Sequence, residues 1–154
     1  MKINLVAVGN LKDSYWKEAC AEYLKRLQRF AEVKVVEVAE EQAQETPSAI
    51  EIAKRKEGQK ILAAAKGKIY LLAVNGKEVS SESFASLVKS DVDLGREITF
   101  VIGGSYGTSE EVYAASEQKI SFGKITLPHR LMRVVFLEQL YRAFTINNKI
   151  SYHK

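Results

Sequence analysis

The sequence has little of what builds covalent or metal-held scaffolds. Its 154 residues contain one cysteine and two histidines, so a disulfide framework is excluded and a Cys/His metal site is not expected. No stretch approaches the about 18 consecutive apolar residues of a membrane span. Residues 1–9 lack the apolar length and cleavage site of a signal peptide and are typical of a first strand. We therefore expect a cytoplasmic protein with no metal and no membrane contact.

The composition that remains is that of an ordinary globular domain. Apolar residues make up 46% of the chain and charged residues 27%, which is too apolar for an intrinsically disordered protein. At this length, surface scaling predicts that folding buries about two-thirds of the surface of the unfolded chain. One core is sufficient for that burial, and we expect a single domain over residues 1–154.

The positive charge is unevenly placed. The formal net charge is +4, but residues 119–154 contain seven basic residues against Glu138 alone, a net charge of +6. A second basic cluster lies within residues 54–68. Such clusters are commonly no more than solvated helix faces. The excess at the C-terminal end lies among apolar and aromatic residues, and it favours a polyanionic partner, with nucleic acid the first candidate.

Short β-rich runs alternate with longer helical patterns, which predicts an α/β fold with a mostly parallel sheet and helices on both faces. The expected strands are residues 3–8, 33–38, 69–74, 97–102 and 119–122. The expected helices begin near residues 14, 47, 81, 109 and 128. The second strand alternates polar and apolar residues and is expected near an edge, whereas the third is continuously apolar and is expected to be buried on both faces.

Glycines follow three of the expected strands. They lie in Asn75-Gly76, in Gly103–Gly107 and in the segment Gly123–Pro128. Ligands of open α/β sheets bind at the carboxyl ends of the strands, and glycine lets backbone groups approach a ligand closely. None of the three has the glycine spacing of a dinucleotide fingerprint or a Walker loop. We therefore predict a small ligand held by backbone groups and apolar side chains.

Four segments carry a resemblance to a known family. Residues 100–107 read FVIGGSYG, residues 125–134 read ITLPHRLMRV, residues 137–144 read LEQLYRAF, and the chain ends in YHK. Together with the length and the opening LVAVG, they closely resemble the bacterial ribosomal RNA large subunit methyltransferase H family, which is of the SPOUT class. The resemblance covers nearly the whole chain, and its most specific parts are TLPH and the terminal YHK.

The resemblance implies S-adenosylmethionine-dependent methylation of N3 of a pseudouridine in large-subunit (23S) ribosomal RNA within the assembled ribosome. It also implies a homodimer, and a sheet whose C-terminal segment threads a deep trefoil knot that holds the cofactor. The cofactor-binding positions that it implies are Leu72, Gly103, Phe122, Gly123, Lys124, Ile125, Thr126 and Leu127. They fall on or next to the segments selected by their glycines.

The last residues of the chain are candidates for the catalytic site. An imide nitrogen must lose its proton to attack a methyl donor well, so a general base or a group that stabilises the anion is expected. His153 is a candidate for that role because imidazole titrates near neutrality, and positioning of the substrate is the alternative. The ring of Tyr152 is suited to stacking on a base and equally to packing against the protein.

Candidate RNA-contacting residues lie on the last helix and in the tail: His129, Arg130, Arg133, Arg142 and Lys154. His129 is equally suited to capping or packing the helix. The spacing of Arg130 and Arg133 puts them on one face, whereas Arg142 faces the side opposite Arg133. The broad apolar surface of residues 131–144 fits either core or a dimer interface.

Two other functional classes remain open from the sequence. One is a non-catalytic ribosome-associated protein that binds RNA with the same basic tail. The other is a small flavodoxin-like nucleotide binder, whose function would be independent of RNA.

Overall fold

Five strands and five helices alternate along the chain. The computed structural model describes all residues, 1–154. The strands are β1 (Lys2–Val8), β2 (Glu32–Val38), β3 (Lys68–Glu78), β4 (Ile98–Ile102) and β5 (Gln118–Ser121). The helices are α1 (Ser14–Leu27), α2 (Pro47–Ala64), α3 (Ser81–Asp93), α4 (Glu110–Ala115) and α5 (His129–Asn147). Each element predicted from the sequence is present. β3 is the exception in length, because it extends to Glu78 and the predicted strand ends at residue 74.

The strands form one parallel sheet in the order β2-β1-β4-β3-β5. The order places β2 at an edge, as its alternating pattern predicts. Because all five strands are parallel, their carboxyl ends lie at the same end of the sheet, and the loops that leave β3, β4 and β5 lie next to one another. No helix combines the length and apolar character needed to cross a bilayer.

Both faces of the sheet are covered by helices. Along β1, Ile3, Leu5 and Ala7 face a larger core under α1, α3 and α5, whereas Val6 and Val8 face a smaller core under α2 and α4. This division follows from the alternation of side chains along a strand. The larger core also contains three buried phenylalanine rings, Phe84, Phe100 and Phe136. The predicted fold class, an α/β sheet with helices on both faces, is confirmed.

Three helices begin at side chains of a type that commonly caps helices. Thr46, Ser80 and Ser109 each accept the backbone N–H of the residue three positions further on, which satisfies a donor that the first helical turn leaves free. Pro47 occupies the first turn of α2, where its fixed φ is compatible with a helix. These three helix starts follow β2, β3 and β4, so they lie at the carboxyl ends of the strands.

The prediction that Asn75-Gly76 forms a loop after the third strand is wrong. β3 continues to Glu78, with a shift of register against β5 between Leu72 and Lys77. A Cβ on Gly76 would lie 2.7 Å from the carbonyl oxygen of Lys119. The glycine therefore serves the close approach of the bulged strand β3 to β5 rather than a turn.

Candidate functional site

A cleft of about 1080 Å³ opens at the carboxyl ends of β3, β4 and β5. Its walls are the bulged part of β3, the loop after β4 and the loop after β5, and α5 closes it with His129 and Met132. The volume lies just above the usual range for pockets that hold a drug-sized ligand, roughly 300–1,000 Å³. The topology therefore puts a cleft where glycine placement predicts a ligand.

Every cofactor-binding position implied by the sequence resemblance lines this cleft. These positions are Leu72, Gly103, Phe122, Gly123, Lys124, Ile125, Thr126 and Leu127. They come from three segments that are far apart in sequence, and the parallel sheet brings them together. Their role in binding stays a prediction.

The loop after β5 offers backbone groups and apolar side chains, and Lys124 is its one charged residue. Its first turn is fixed by the buried Ser121, whose hydroxyl donates to the carbonyl of Gly123 at 2.8 Å and accepts the N–H of Gly123 at 3.1 Å. Gly123 has φ +134, a conformation that residues with a Cβ rarely adopt. Ile125 is 79% exposed. The loop thus combines an anchored beginning with an accessible middle, which suits a ligand held by backbone groups and apolar side chains.

His129 lies at the inner end of the cleft. Its ring packs on Gly9, where a Cβ would lie 3.1 Å from Cε1 of the imidazole. No side chain caps α5, whose N-cap residue is Pro128. Burial lowers the pKa of His129, so the ring is neutral near pH 7, and its Nδ1 is buried with no hydrogen-bond partner. Of the alternatives predicted for His129, packing is present and capping is not.

Arg133 is buried and forms part of the framework. Its side chain is 2% exposed, and it donates to Glu37 Oε2 at 2.6 Å and to the carbonyl of Gly9 at 3.0 Å. Burial alone would raise the pKa of Glu37, but hydrogen bonds from Arg133 and from the N–H of Leu11 hold that pKa below its usual value. The expectation that Arg133 contacts RNA is therefore corrected, because its guanidinium ties α5 to β1 and β2.

The tail packs against α5 and does not extend into solvent. After α5 the backbone turns at Lys149, with φ +55, and the N–H of Ile150 donates to the carbonyl of Thr145 at 2.9 Å. The Tyr152 hydroxyl then donates to Glu138 Oε1 at 3.1 Å. Burial and the adjacent Glu138 raise the pKa of Tyr152 to about 12. The tail is therefore an ordered part of the surface.

Arg142 and His153 complete this tail cluster, which comprises Glu82, Glu138, Arg142, Tyr152 and His153. Arg142 donates twice to Glu138 Oε1, at 2.5 and 3.0 Å, and its guanidinium lies 4.7 Å from the centre of the Tyr152 ring. Nδ1 of His153 lies 3.1 Å from Arg142, and its Nε2 lies 2.8 Å from Glu82. Because arginine only donates, Nδ1 accepts from Arg142 and Nε2 donates to Glu82. Both ring nitrogens are engaged.

No residue of the tail cluster lines the cleft of its own protomer. Arg142 follows His129 by 13 residues on α5, which is about 20 Å along a helix that rises 1.5 Å per residue. The remaining basic candidates are also separate from the cleft. Arg130 is half-buried with no partner at Nε, and Lys154 is exposed.

Several residues at these two places were not selected from the sequence. Glu138 is one, although its spacing of four residues from Arg142 is a recognised pattern for a helical ion pair. Glu82 and Tyr113 are others: Glu82 reaches His153 across 71 residues of sequence, and Tyr113 lines the cleft from α4. No local pattern marks either of them, because only the tertiary fold creates their contacts.

Comparison with known proteins decides the family. A family model described as predicted SPOUT methyltransferase matches residues 1–153. The chain belongs to the SPOUT methyltransferase family. It is 50% identical over 159 residues to the ribosomal RNA large subunit methyltransferase H of Lactobacillus delbrueckii subsp. bulgaricus, and 52% identical over 162 residues to that of Lactobacillus acidophilus, with full coverage of both chains in each pair. The resemblance read from the sequence is confirmed.

Two solved structures share the SPOUT fold at low sequence identity. One is a probable methylase family protein from Haemophilus influenzae, with a TM-score of 0.58 and 13% identity over 99% of this chain and 70% of that one. The other is a Legionella pneumophila protein whose structure contains bound S-adenosylmethionine, with a TM-score of 0.51 and 12% identity over 94% of this chain and 66% of that one. These likenesses concern the fold alone. The order of the strands does not show whether the C-terminal segment passes through a loop of the chain, so the trefoil knot stays a prediction.

Proposed function

We propose that this SPOUT chain transfers a methyl group from S-adenosylmethionine to large-subunit ribosomal RNA. The observation that carries the proposal is the convergence of all predicted cofactor positions on one cleft. It occurs in a chain half identical to proteins named as methyltransferases of that RNA.

The cleft fits the proposed cofactor chemically. Apolar side chains such as Leu72, Ile102 and Leu127 supply flat walls for an adenine ring, and the glycine loops supply backbone N–H and C=O groups for its polar edge. Bound S-adenosylmethionine supplies an activated methyl group together with its own leaving group. The residues of this chain then have to exclude water and align donor and acceptor at about 3–3.5 Å.

The finer substrate that we propose is N3 of a pseudouridine, methylated within the assembled ribosome. S-adenosylmethionine held in the cleft would supply the methyl group and its thioether leaving group, and this chain would have to hold N3 in line with them while the N3 proton passes to a base or to solvent. The excess of positive charge over residues 119–154 suits the phosphates of a folded RNA. A cytoplasmic location follows from such a substrate.

We further propose that the active site is completed in a homodimer. No residue of the tail cluster lines the cleft of its own protomer, and we infer that His153 and Tyr152 serve the cleft of the partner. Leu131, Val134 and Val135 on α5 are incompletely buried in the single chain, and they form the apolar surface that a partner would cover. In this arrangement His153, with both nitrogens engaged, positions the substrate.

Calorimetry and a ribosome assay test these proposals together. The purified chain is expected to bind S-adenosylmethionine, and to transfer labelled methyl groups to ribosomes from a strain that lacks the modification. Ribosomes that already carry it are the control. Binding to ribosomes without any cofactor binding would instead identify a non-catalytic RNA-binding protein. A monomeric mass by ultracentrifugation at micromolar concentration would contradict the homodimer.

A further inference from the structure

A buried carboxyl group lies beside the cleft, and the proposed function leaves it without a role. Glu57 is in the middle of α2 and is 2% exposed. Its Oε2 accepts the backbone N–H of Glu41 at 2.9 Å. Its Oε1 is buried with no hydrogen-bond partner. Buried carboxylate oxygens are normally paired, so an acceptor left free at this place needs an explanation.

The free oxygen points at the glycine loop after β4. A Cβ on Gly104 would lie 3.1 Å from Oε1 and 3.5 Å from Oε2 of Glu57. The carbonyl of Gly104 in turn accepts the N–H of Gly107 at 3.1 Å, which closes the turn that lines the cleft. The carboxyl group is therefore in contact with the residue at which this turn begins.

Neighbouring contacts fix the surroundings of Glu57 on both sides. A Cβ on Gly58 would overlap the hydroxyl of Ser109, which caps α4 immediately after the loop. On the other side, Ser105 donates to Glu40 Oε1 at 3.2 Å. The glycine loop, the connection of residues 39–46 and α2 thus meet at one carboxyl group.

No cation pairs with Glu57. The charge of Lys60 on α2 lowers the pKa of Glu57, but the Lys60 ammonium is engaged by Glu41 at 2.6 Å. Burial raises the pKa of Glu57, and the charges of Glu40 and Glu41 add to that effect against the opposing N–H of Glu41. The group is consequently not held by an ion pair and is available to respond to the loop.

We propose that Glu57 is a positioning residue for the cofactor. Its Oε1 accepts a backbone N–H of the Gly103–Gly107 loop when that loop closes on the ligand, while its Oε2 keeps the 39–46 connection in place. The inference rests on the proposed function, because it takes the loop to bind S-adenosylmethionine. Glycine at 104 is then required twice, to admit the carboxyl group and to let the peptide reorient.

The test compares Glu57 with a second buried carboxyl group, that of Asp91. Glu57→Gln keeps an oxygen for the N–H of Glu41 but presents an NH₂ donor to the loop, and we expect S-adenosylmethionine to bind about tenfold more weakly by calorimetry. At saturating cofactor, kcat is expected to stay within about twofold, so the loss lies in the KM for cofactor. The control is Asp91→Asn. Asp91 is 1% exposed and accepts from the hydroxyl of Tyr70, so this variant should lower the melting temperature without changing cofactor affinity.

Hydrogen exchange, measured on the wild-type chain and on Glu57→Gln, supplies a second readout that is independent of activity. Cofactor is expected to slow exchange at the amide of Gly104 or Ser105 in the wild-type chain and not in Glu57→Gln. Equal affinity and equal protection in both proteins would overturn this inference alone. Failure of the wild-type chain to bind S-adenosylmethionine at all would instead overturn the proposed function.

Discussion

The cleft and the tail cluster are built by different means, although one helix borders both. The cleft is lined mainly by backbone and apolar groups from the bulged part of β3 and from the loops after β4 and β5, and it has few side-chain hydrogen bonds of its own. The tail cluster is the reverse, because Glu138, Arg142, Tyr152 and His153 fix one another through short polar contacts. A cofactor can be bound by a surface of fixed shape, whereas polar substrate groups require side chains held in one orientation.

The largest expected effect is the loss of the cleft through Gly103→Val. A Cβ at this position would lie 2.7 Å from Cγ2 of Thr108 and 3.3 Å from the carbonyl oxygen of Gly107, so a valine displaces the loop that lines the cleft. We expect affinity for S-adenosylmethionine to fall by about 100-fold or more, measured by calorimetry on protein with unchanged circular dichroism. The control is Gly95→Ala outside the cleft, where an added Cβ meets nothing within 4 Å; the strain at its φ of +64 should lower stability without changing cofactor affinity. Unchanged affinity in Gly103→Val would place the cofactor elsewhere.

Deletion of residues 151–154 should separate the two regions. Cofactor affinity is expected to stay within about twofold, while methylation of ribosomes falls by about 100-fold, because the substrate is no longer positioned. A heterodimer of this deletion with Gly103→Val should regain activity, since it contains one intact cleft and one intact tail. Full activity of the deletion would remove the tail from the active site.

Arg133→Met tests the correction made for that residue. Breaking a fully buried ion pair costs about 3–5 kcal/mol, and the partial exposure of Glu37 reduces our expectation to about 2 kcal/mol of unfolding free energy. Since the pKa of Glu37 is lowered in the folded state, its contribution is present above its unfolded pKa of about 4.3 and lost as the pH falls through the folded value. The difference between the two proteins in urea titrations should therefore shrink in acid. Weaker RNA binding at unchanged stability would restore Arg133 as a substrate contact.

The smallest expected effect is that of Glu138→Gln within the tail cluster. The pKa of Tyr152 should fall from about 12 towards its ordinary value of about 10, as measured by ultraviolet titration with Tyr152→Phe as the reference. Because the folded pKa is raised, the stabilisation from Tyr152 is complete below about pH 10 and is lost as the pH rises through the folded value. Methylation should slow by about tenfold with cofactor affinity unchanged. An unaltered titration curve would show that Glu138 is not the cause of the shift.

Local patterns predicted the elements, because hydrophobic periodicity and caps act within a few residues. The caps at Thr46, Ser80 and Ser109 are of this kind. Contacts over long sequence distances were not predictable in the same way. A glycine such as Gly76 suggests a turn, but glycine is required there because the backbone of β5 approaches closely. Arg133 suggests a surface charge, and only the fold shows that Glu37 lies beside it.

The candidate site was predicted in the same uneven manner. The cofactor positions could be carried over because they belong to contiguous motifs such as residues 122–127, and the fold then places them in one cleft. Glu57 could not be selected, since a glutamate in a basic helix suggests a solvated side chain. Its importance depends on the approach of Gly104 from a loop 47 residues further along the chain.

The length of α5 has a consequence for how this protein can vary. The helix carries Met132 in the wall of the cleft and Arg142 in the tail cluster, so the turns between them fix the distance and the angle between the two regions. Inserting one residue there would move the tail by about 1.5 Å and rotate it by about 100° about the helix axis. In a symmetric pair of chains the same error would occur at both active sites at once. Loops elsewhere can change in length, but this interval of the helix has to keep its number of residues.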